Sequence, residues 1–338
     1  MRAELLATDA PAWTAFLRDA EHDFYHLPAY VRLSAKVDGG EPGAVLVEDG
    51  VRRLLLPLVL RAVEDGVRDA TSPYGYPGPI LAEADDAFAA DALAEAVRFL
   101  AGEKIVALFV RGHPLLGPAL PSTVGTVVEH GPTVSADLTR SPEALWQATA
   151  SAHRTQIEKS QRVGHRAFFD DAFWHLGTFV ALYRETMERV GAADYYRFSD
   201  DYFRELKEAL GPRLRLGLVE IGGAIAAAAL FVESGPVVQY HLSATDPRFR
   251  REGPTKLLLH FAREWAQERG VRRLHLGGGV GGAEDGLFAF KAGFATDHHC
   301  FRTLRVVTDE PAYAALVVAR DATADPADRS GFFPLYRR

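Results

Sequence analysis

The second half of the sequence contains a fixed order of strand-like and helix-like segments, and this order limits the folds that the chain can adopt. Residues 214–245 form three apolar, β-rich runs that are joined by tight turns. Because each turn is only a few residues long, these runs predict an antiparallel meander. A helix with one apolar face follows over residues 253–270, and after it come a strand at 271–278, a helix at 284–294 and a strand at 300–308. The order predicts a mixed, mainly antiparallel sheet that is flanked by helices.

The first half shows a weaker version of the same plan. Residues 43–63 predict a hairpin, residues 87–102 a helix that stops at a glycine, and residues 104–112 a short apolar strand. The order of these elements resembles the acyltransferase core of the GNAT type. We therefore predict the α/β (α+β) class and two tandem domains of this one fold. The domains are expected at residues 1–140 and 141–338, with the site of transfer in the second.

The boundary between these domains is expected between Gly131 and Pro142, or along the helix that follows. Ser141 is predicted to cap that helix, because serine is a preferred N-cap residue and Pro142 suits the first helical position. The helix is expected to continue past Arg154.

Composition excludes several classes of protein. The 338 residues include 38 Lys and Arg against 45 Asp and Glu, and the net charge of -7 argues against nonspecific coating of nucleic acid, so DNA is not an expected partner. The single cysteine, Cys300, excludes intrachain disulfides and Cys-based metal clusters, and no metal site is expected. The longest apolar runs fall short of the roughly 20 residues of a transmembrane helix, and the N-terminus does not resemble a signal peptide. A cytoplasmic location is therefore expected.

Several short motifs share one source. They are FYHLPAY at 24–30, SPYGYPGP at 72–79, HRTQIEKSQRVG at 153–164, VVQYHLSAT at 237–245, LHLGGG at 274–279 and GLFAFKAGF at 286–294. These motifs resemble the FemABX family, and the most specific elements are the LGGG strand and the Phe-Lys-x-x-Phe box that follows it. Members of this family are tandem GNAT-like proteins that transfer an amino acid from aminoacyl-tRNA to an amine.

The resemblance implies an amide-forming aminoacyltransferase that uses aminoacyl-tRNA as co-substrate and needs no further cofactor. Its acceptor would be an amine-bearing peptide, such as a peptidoglycan precursor, or the amine of a natural product or small metabolite. The sequence specifies neither the acceptor nor the amino acid that is transferred, and the oligomeric state is open.

The alternative donor is acetyl-CoA or another acyl-CoA. GNAT enzymes bind the coenzyme A pyrophosphate at the start of a helix, in a pattern close to Arg-x-x-Gly-x-Gly or Ala. At the corresponding turn, residues 250–255, Pro254 removes a donor amide and Thr255 replaces the last small residue. This departure favours aminoacyl-tRNA as the donor. A GNAT-like binding protein without catalytic activity is the third hypothesis.

The resemblance makes Lys291, with Phe290 before it, the first candidate for catalysis. A cation here would neutralise a phosphate of the tRNA acceptor end, or the oxyanion that forms when an amine attacks an aminoacyl ester. A solvated lysine on an amphipathic helix is the alternative interpretation. His241 is a candidate general base because the ordinary pKa of histidine lies near neutrality, although a packed core histidine fits the pattern equally well.

Two strand ends supply the candidates for binding the donor. They are Gly277, Gly278, Gly279 and Asp285 after one strand, and Tyr240 and Ser243 on the other. The glycines allow a ligand to approach the backbone closely. Strict alternation along the strand would place Tyr240 and Ser243 on opposite faces of the sheet.

Further binding residues are expected outside these strands. By resemblance, Arg154 and Lys159 lie near substrate phosphates or tRNA, although a solvated helix face would explain them as well. Tyr74 and Tyr76 would form a ridge that holds the acceptor, or a turn with packed rings. Tyr196 has the same two interpretations.

Overall fold

The structure, a computed structural model, describes residues 1–64 and 66–338. These residues form two compact units. Unit 1 comprises Met1–Gly131 and Cys300–Arg338, and unit 2 comprises Pro132–His299.

The predicted helices and strands occur in the predicted order, and the structure adds further elements between and after them. In the first segment of unit 1 they are β1 (Arg2–Leu6), α1 (Pro11–Asp19), α2 (Pro28–Asp38), β2 (Glu41–Asp49), β3 (Arg52–Glu64), β4 (Val67–Thr71), β5 (Ile80–Ala82), α3 (Asp86–Gly102) and β6 (Ile105–Arg111). β7 (Thr126–Asp137) leads into unit 2, which contains α4 (Pro142–Ala148), α5 (Ser151–Arg162), β8 (Arg166–Phe169), α6 (Leu176–Arg189), α7 (Asp200–Leu210), β9 (Leu214–Ile221), β10 (Ala224–Ser234), β11 (Val237–Thr245), α8 (Pro254–Glu268), β12 (Arg273–Gly278) and α9 (Gly286–Ala292). β13 (Asp297–Val307) and α10 (Glu310–Arg320) return the chain to unit 1.

The sheet of unit 1 has the order β1-β2-β3-β4-β6-β13, and β5 pairs with β3. Its central strand, β3, is apolar at nearly every position because both of its faces are covered. Leu54, Leu56 and Leu58 pack in the cluster that contains the apolar face of α3, whereas Leu55 packs in the cluster of Trp13 on α1. A strand buried on both faces therefore shows a continuous apolar run instead of an alternating one.

The sheet of unit 2 has the order β7-β12-β11-β10-β9-β8. β9, β10 and β11 form the predicted antiparallel meander, and β12 runs parallel to β11 after the crossover through α8. Leu257 and Leu258 of α8 pack in one core with Ala227 and Ala229 of β10, because these small residues let the helix approach the sheet. Unit 1 repeats this plan in β2-β3-β4, α3 and β6, with β4 parallel to β6. The structure thus confirms the predicted fold class, two GNAT-like units with mixed, mainly antiparallel sheets.

The division of the chain differs from the predicted domains, residues 1–140 and 141–338. The last residues of the chain fold with unit 1, because Thr303–Val307 of β13 pairs with β6. Tyr313 and Val317 of α10 also pack in a core with Val106 of β6. The first segment of unit 1 ends at Gly131, which is one end of the predicted seam.

The helix that begins at Pro142 is shorter than predicted. Ser141 caps it as expected, but it ends at Ala148, and a second helix, α5, carries Arg154. The break lies at Thr149, which has extended backbone angles and whose hydroxyl donates a hydrogen bond to the Leu145 carbonyl oxygen at 2.9 Å. Threonine competes with helical geometry by such local bonds to the backbone.

Candidate functional site

A cleft opens in the sheet of unit 2 where β11 and β12 separate. The two strands pair only from Val237 opposite Arg273 to Gln239 opposite His275. At this last pair, the Nδ1 atom of the buried His275 lies 2.7 Å from the Gln239 side-chain oxygen. Beyond it, β12 stays paired with β7 and β11 stays paired with β10. We call the space between residues 240–245 and residues 276–279 the strand cleft.

A β-bulge changes the side-chain pattern on the β11 wall of the strand cleft. Leu230 lies opposite Leu242 and Phe231 lies opposite Tyr240, so that His241 is the extra residue. Because the bulge breaks the alternation, Tyr240 and Ser243 share a hydrogen bond. The prediction that strict alternation separates these two side chains is wrong for this reason.

Tyr240 is held in an apolar setting on this wall. Its ring lies 5.6 Å from that of Phe231, centroid to centroid. Burial raises the pKa of Tyr240 to about 12, while the hydrogen bond with Ser243 acts in the opposite direction. The phenol therefore remains protonated at neutral pH and keeps a hydrogen to donate.

The glycines on the other wall are required by close packing. Gly277 has a φ of 74° at a second bulge, where β12 pairs with β7. A Cβ on Gly278 would lie 2.8 Å from the Pro132 carbonyl oxygen, and a Cβ on Gly279 would collide with the Ala283 carbonyl oxygen. Side chains are therefore excluded from this turn.

Asp285 ties the glycine turn to α9. Its carboxylate accepts hydrogen bonds from the Phe288 amide at 2.9 Å, as the N-cap, and from the Val280 amide at 3.1 Å. These backbone hydrogen bonds, first from Phe288 and then from Val280, lower the pKa of Asp285. The carboxylate is thus an anion that fixes the turn and the helix together.

Lys291 lies on the β12 wall of the strand cleft. Its ammonium donates a hydrogen bond to the Gly278 carbonyl oxygen at 2.7 Å, and the residue is only 9% exposed. Burial lowers the pKa of Lys291 to about 8, and the Asp285 carboxylate acts in the opposite direction. The structure thus brings together Lys291, the glycine turn and Asp285, as the sequence predicted, but Lys291 is a buried group and not a solvated one.

The C-terminal end of α9 is held by a side chain of α5 and by the backbone amide of the residue before α5. The His153 Nε2 atom lies 3.1 Å from the Phe290 carbonyl oxygen, and the Ala150 amide donates to the Gly293 carbonyl oxygen at 2.8 Å. A Cβ on Gly293 would lie 2.5 Å from the His153 ring. Sequence reasoning noted His153 only as part of a basic segment, and the glycine between Phe290 and Phe294 is the signal that could have indicated this contact.

The two basic candidates on α5 have different surroundings. The Arg154 guanidinium donates to the Gln147 and Thr149 carbonyl oxygens at 3.1 and 2.5 Å, so that it caps the end of α4. Lys159 is exposed, as is Arg162 one turn further along the helix. Of the two predicted residues, Lys159 is therefore the one that is available to a ligand.

The turn before α8 is engaged with its own surroundings. The Gln156 side chain donates to the Glu252 carbonyl oxygen at 2.6 Å, and the hydroxyls of Thr245 and Thr255 lie 2.8 Å apart. Pro254 occupies the first helical position and offers no amide hydrogen. The start of this helix therefore presents one backbone donor fewer than a helix without proline at this position.

The remaining candidates lie elsewhere. Tyr74 and Tyr76 belong to unit 1, where the ring of Tyr76 packs edge-on against that of Phe301 at 5.2 Å. Tyr196 lies on a short 3-10 turn between α6 and α7 and is 40% exposed. Its carbonyl oxygen accepts a hydrogen bond from the Tyr183 hydroxyl at 2.9 Å.

Within residues 1–64 and 66–338, no group of three His, Cys, Asp or Glu side chains is arranged to hold a metal ion, and no helix is long and apolar enough to span a membrane.

Comparisons with known proteins agree with this geometry. Residues 147–291, which include both walls of the strand cleft and Lys291, match the family model described as acetyltransferase (GNAT) domain. No curated protein sequence matches the chain.

Solved structures match nearly the whole chain at low identity. FemX aligns with a TM-score of 0.70 and 15% identity over 93% of this chain and 99% of its own. The C-terminal domain assigned to a lysylphosphatidylglycerol synthetase of Agrobacterium fabrum aligns with a TM-score of 0.54 and 16% identity, over 92% of this chain and 94% of its own. L-PGS from Bacillus licheniformis aligns with a TM-score of 0.52 and 12% identity, over 88% of this chain and 92% of its own. These findings support the resemblance at the level of the fold: the chain has a FemX-like fold, and residues 147–291 match the model of the acetyltransferase (GNAT) domain.

Proposed function

We propose that this protein forms an amide bond by transferring an amino acid from aminoacyl-tRNA to an amine. The observation that carries the proposal is the strand cleft with the buried ammonium of Lys291 on its wall, next to a helix start at which Pro254 offers no amide hydrogen. The FemX-like fold and the lysyl group in the name of one structural neighbour support it. The acceptor is proposed to be the amine of a peptide or of a small molecule.

The reaction requires stabilisation of one developing charge. The amine attacks the ester carbonyl carbon, a C–N bond forms, and the C–O bond to the terminal ribose breaks. The ribose oxygen leaves with the proton that the amine loses, directly or through His241 as the proposed proton acceptor. In between, the carbonyl oxygen carries a negative charge, and a cation in a water-poor site stabilises such an oxyanion strongly. Lys291 is the proposed cation.

The β11 wall is proposed to hold the aminoacyl end of the donor. The Tyr240 hydroxyl keeps its proton at neutral pH and is already oriented by Ser243. It can donate to an ester oxygen of the donor without first reorganising.

Transfer from acyl-CoA is the competing function, and the match to an acetyltransferase family model favours it. Against it stands the turn before α8. Pro254 lacks the amide hydrogen, and the Thr255 hydroxyl is engaged with Thr245, so that a pyrophosphate would find few donors there.

We expect the exposed cations of α5 to contribute to tRNA binding through phosphate contacts. In the variant Lys159→Gln with Arg162→Gln, the slope of log binding constant against log salt concentration should fall by roughly 2, because each lost phosphate contact removes about one released counterion. Filter binding or fluorescence anisotropy with total charged tRNA measures this slope.

Arg154→Gln is the matched control from the same helix. Arg154 caps α4 through carbonyl oxygens, so its replacement should lower the thermal unfolding temperature and leave the salt slope unchanged. Binding by the wild type that does not depend on salt, or a slope that responds only to Arg154→Gln, would count against tRNA as the donor.

A further inference from the structure

The position of Lys291 depends on contacts outside its own helix. α9 has only seven residues, and a helix of this length is not stable without tertiary packing. Its N-terminal end is fixed by Asp285. At its C-terminal end, three carbonyl groups within residues 290–294 accept hydrogen bonds from α5, from the residue before α5 and from α8. They are Phe290 O from His153, Gly293 O from the Ala150 amide and Phe294 O from Arg263.

Among these donors, His153 makes the most specific contact. Its ring lies 5.5 Å from that of Phe290 and 4.7 Å from that of Phe294, and Gly293 leaves room for it. Since a carbonyl oxygen can only accept, the Nε2 atom must carry the hydrogen that bonds to Phe290. The ring therefore fits between the two aromatic side chains of the Phe-Lys-x-x-Phe box with its donor aimed at the backbone.

The other ring nitrogen of His153, Nδ1, differs from Nε2 in its surroundings. The Nδ1 atom is buried and has no hydrogen-bond partner among the residues that the structure describes, and the residue is 9% exposed. Buried polar atoms are nearly always paired, and an exception calls for an explanation. An apolar side chain would fill the same space without an unpaired atom, so the bond to Phe290 is the contact that only the histidine supplies.

We infer that His153 is a positioning residue of the transfer site, which holds the peptide group between Phe290 and Lys291 so that the Lys291 ammonium stays on the Gly278 carbonyl at the wall of the strand cleft. The Phe290 carbonyl and the Lys291 amide belong to one planar peptide group, and fixing its oxygen therefore fixes the start of the lysine side chain. The inference rests on the proposed function, because it assumes that the Lys291 ammonium stabilises the reacting ester. It holds for either donor.

Two substitutions separate the hydrogen bond from the rest of the histidine. In His153→Gln the side-chain amide can reach the place of Nε2 and donate to Phe290, whereas in His153→Asn it reaches only the place of Nδ1. Both variants lose the ring packing, so both should lose thermal stability. We expect His153→Gln to keep kcat near the wild-type value, and His153→Asn to lose roughly 100-fold in kcat with little change in KM, as a displacement of about 1 Å at a reacting group does. Equal kcat values for the two variants would overturn the inference.

A second readout needs no substrate. The chain contains six lysines, so the 15N signal of the Lys291 ammonium can be assigned by its loss in Lys291→Arg. In His153→Asn the pKa of Lys291 should move up toward its ordinary value, and in His153→Gln it should stay near that of the wild type. The same pKa in both variants would overturn the inference. Wild-type protein that transfers nothing from any donor would instead refute the proposed function, and the NMR titration would still decide the role of His153.

Discussion

Replacement of Lys291 by methionine is expected to reduce amide formation by at least 100-fold while the protein stays folded. Methionine keeps an unbranched side chain as far as the Cε position and removes the ammonium that lies 2.7 Å from the Gly278 carbonyl oxygen. Loss of one preorganised group that stabilises an oxyanion costs roughly 100- to 1,000-fold in kcat. Single-turnover transfer from charged tRNA to the acceptor amine measures the loss, and circular dichroism checks that the variant is folded.

The matched control for this variant is Lys207→Met, which changes a lysine of the same unit whose ammonium lies over the Phe173 ring. It should leave the rate of transfer unchanged. If Lys291→Met turns over as fast as Lys207→Met, the lysine has no part in the chemistry.

The titration of Lys291 makes activity and stability move in opposite directions with pH. Burial lowers its pKa from 10.5 to about 8, so between these values the unfolded chain binds a proton that the folded protein has released. The contribution of Lys291 to stability therefore increases as pH rises from about 8 to about 10.5. Over the same range the ammonium is lost from the folded protein, and the advantage in kcat of the wild type over Lys291→Met should decrease.

The second large effect is expected for Gly279→Ala. The added methyl group would collide with the Ala283 carbonyl oxygen and with the carboxylate of Asp285, and neither can move freely because Asp285 caps α9. The turn must shift together with the helix that carries Lys291. We expect a loss of about 1–3 kcal/mol in the free energy of unfolding, typical of overpacking, and a fall in kcat of more than 10-fold. Denaturant unfolding and transfer kinetics measure the two effects.

Gly286→Ala supplies the comparison within the same segment. Gly286 is the first residue of α9, and a Cβ there would meet no atom within 4 Å. Alanine has a higher helix propensity than glycine, so this variant should be as stable as the wild type or slightly more stable, and fully active. A mild phenotype for Gly279→Ala, similar to that of Gly286→Ala, would mean that the turn does not position Lys291.

The sequence predicts the fold well because its signals are local and repeated. The meander of β9 to β11, the helix α8 and the strand β12 each show a clear period or a turn signal, and the structure confirms their order. The glycine turn and Lys291 were also recognised together. A short motif of unusual residues, such as Gly277 to Gly279 before a Phe-Lys pair, can be recognised from the sequence alone because its residues are close together in the chain.

The features that sequence reasoning missed depend on contacts between distant segments. The bulge at His241 results from the way β10 and β11 pair. The residue type at position 241 does not predict it. The sequence predicts Arg154 near substrate phosphates or tRNA and does not predict its contact with the end of α4, because that end exists only where the helix breaks at Thr149. The pairing of β13 with β6, which brings the last residues of the chain into unit 1, joins segments about two hundred residues apart.

The identity of the donor is the central claim, and a direct comparison of donors tests it. Purified protein would be given a panel of acceptor amines with either total charged tRNA or acetyl-CoA as the only donor. The proposed function predicts an amide product from charged tRNA that disappears after treatment with ribonuclease, and no product from acetyl-CoA. Product from acetyl-CoA alone would mean that the turn at residues 250–255 still holds a pyrophosphate, and it would contradict aminoacyl transfer.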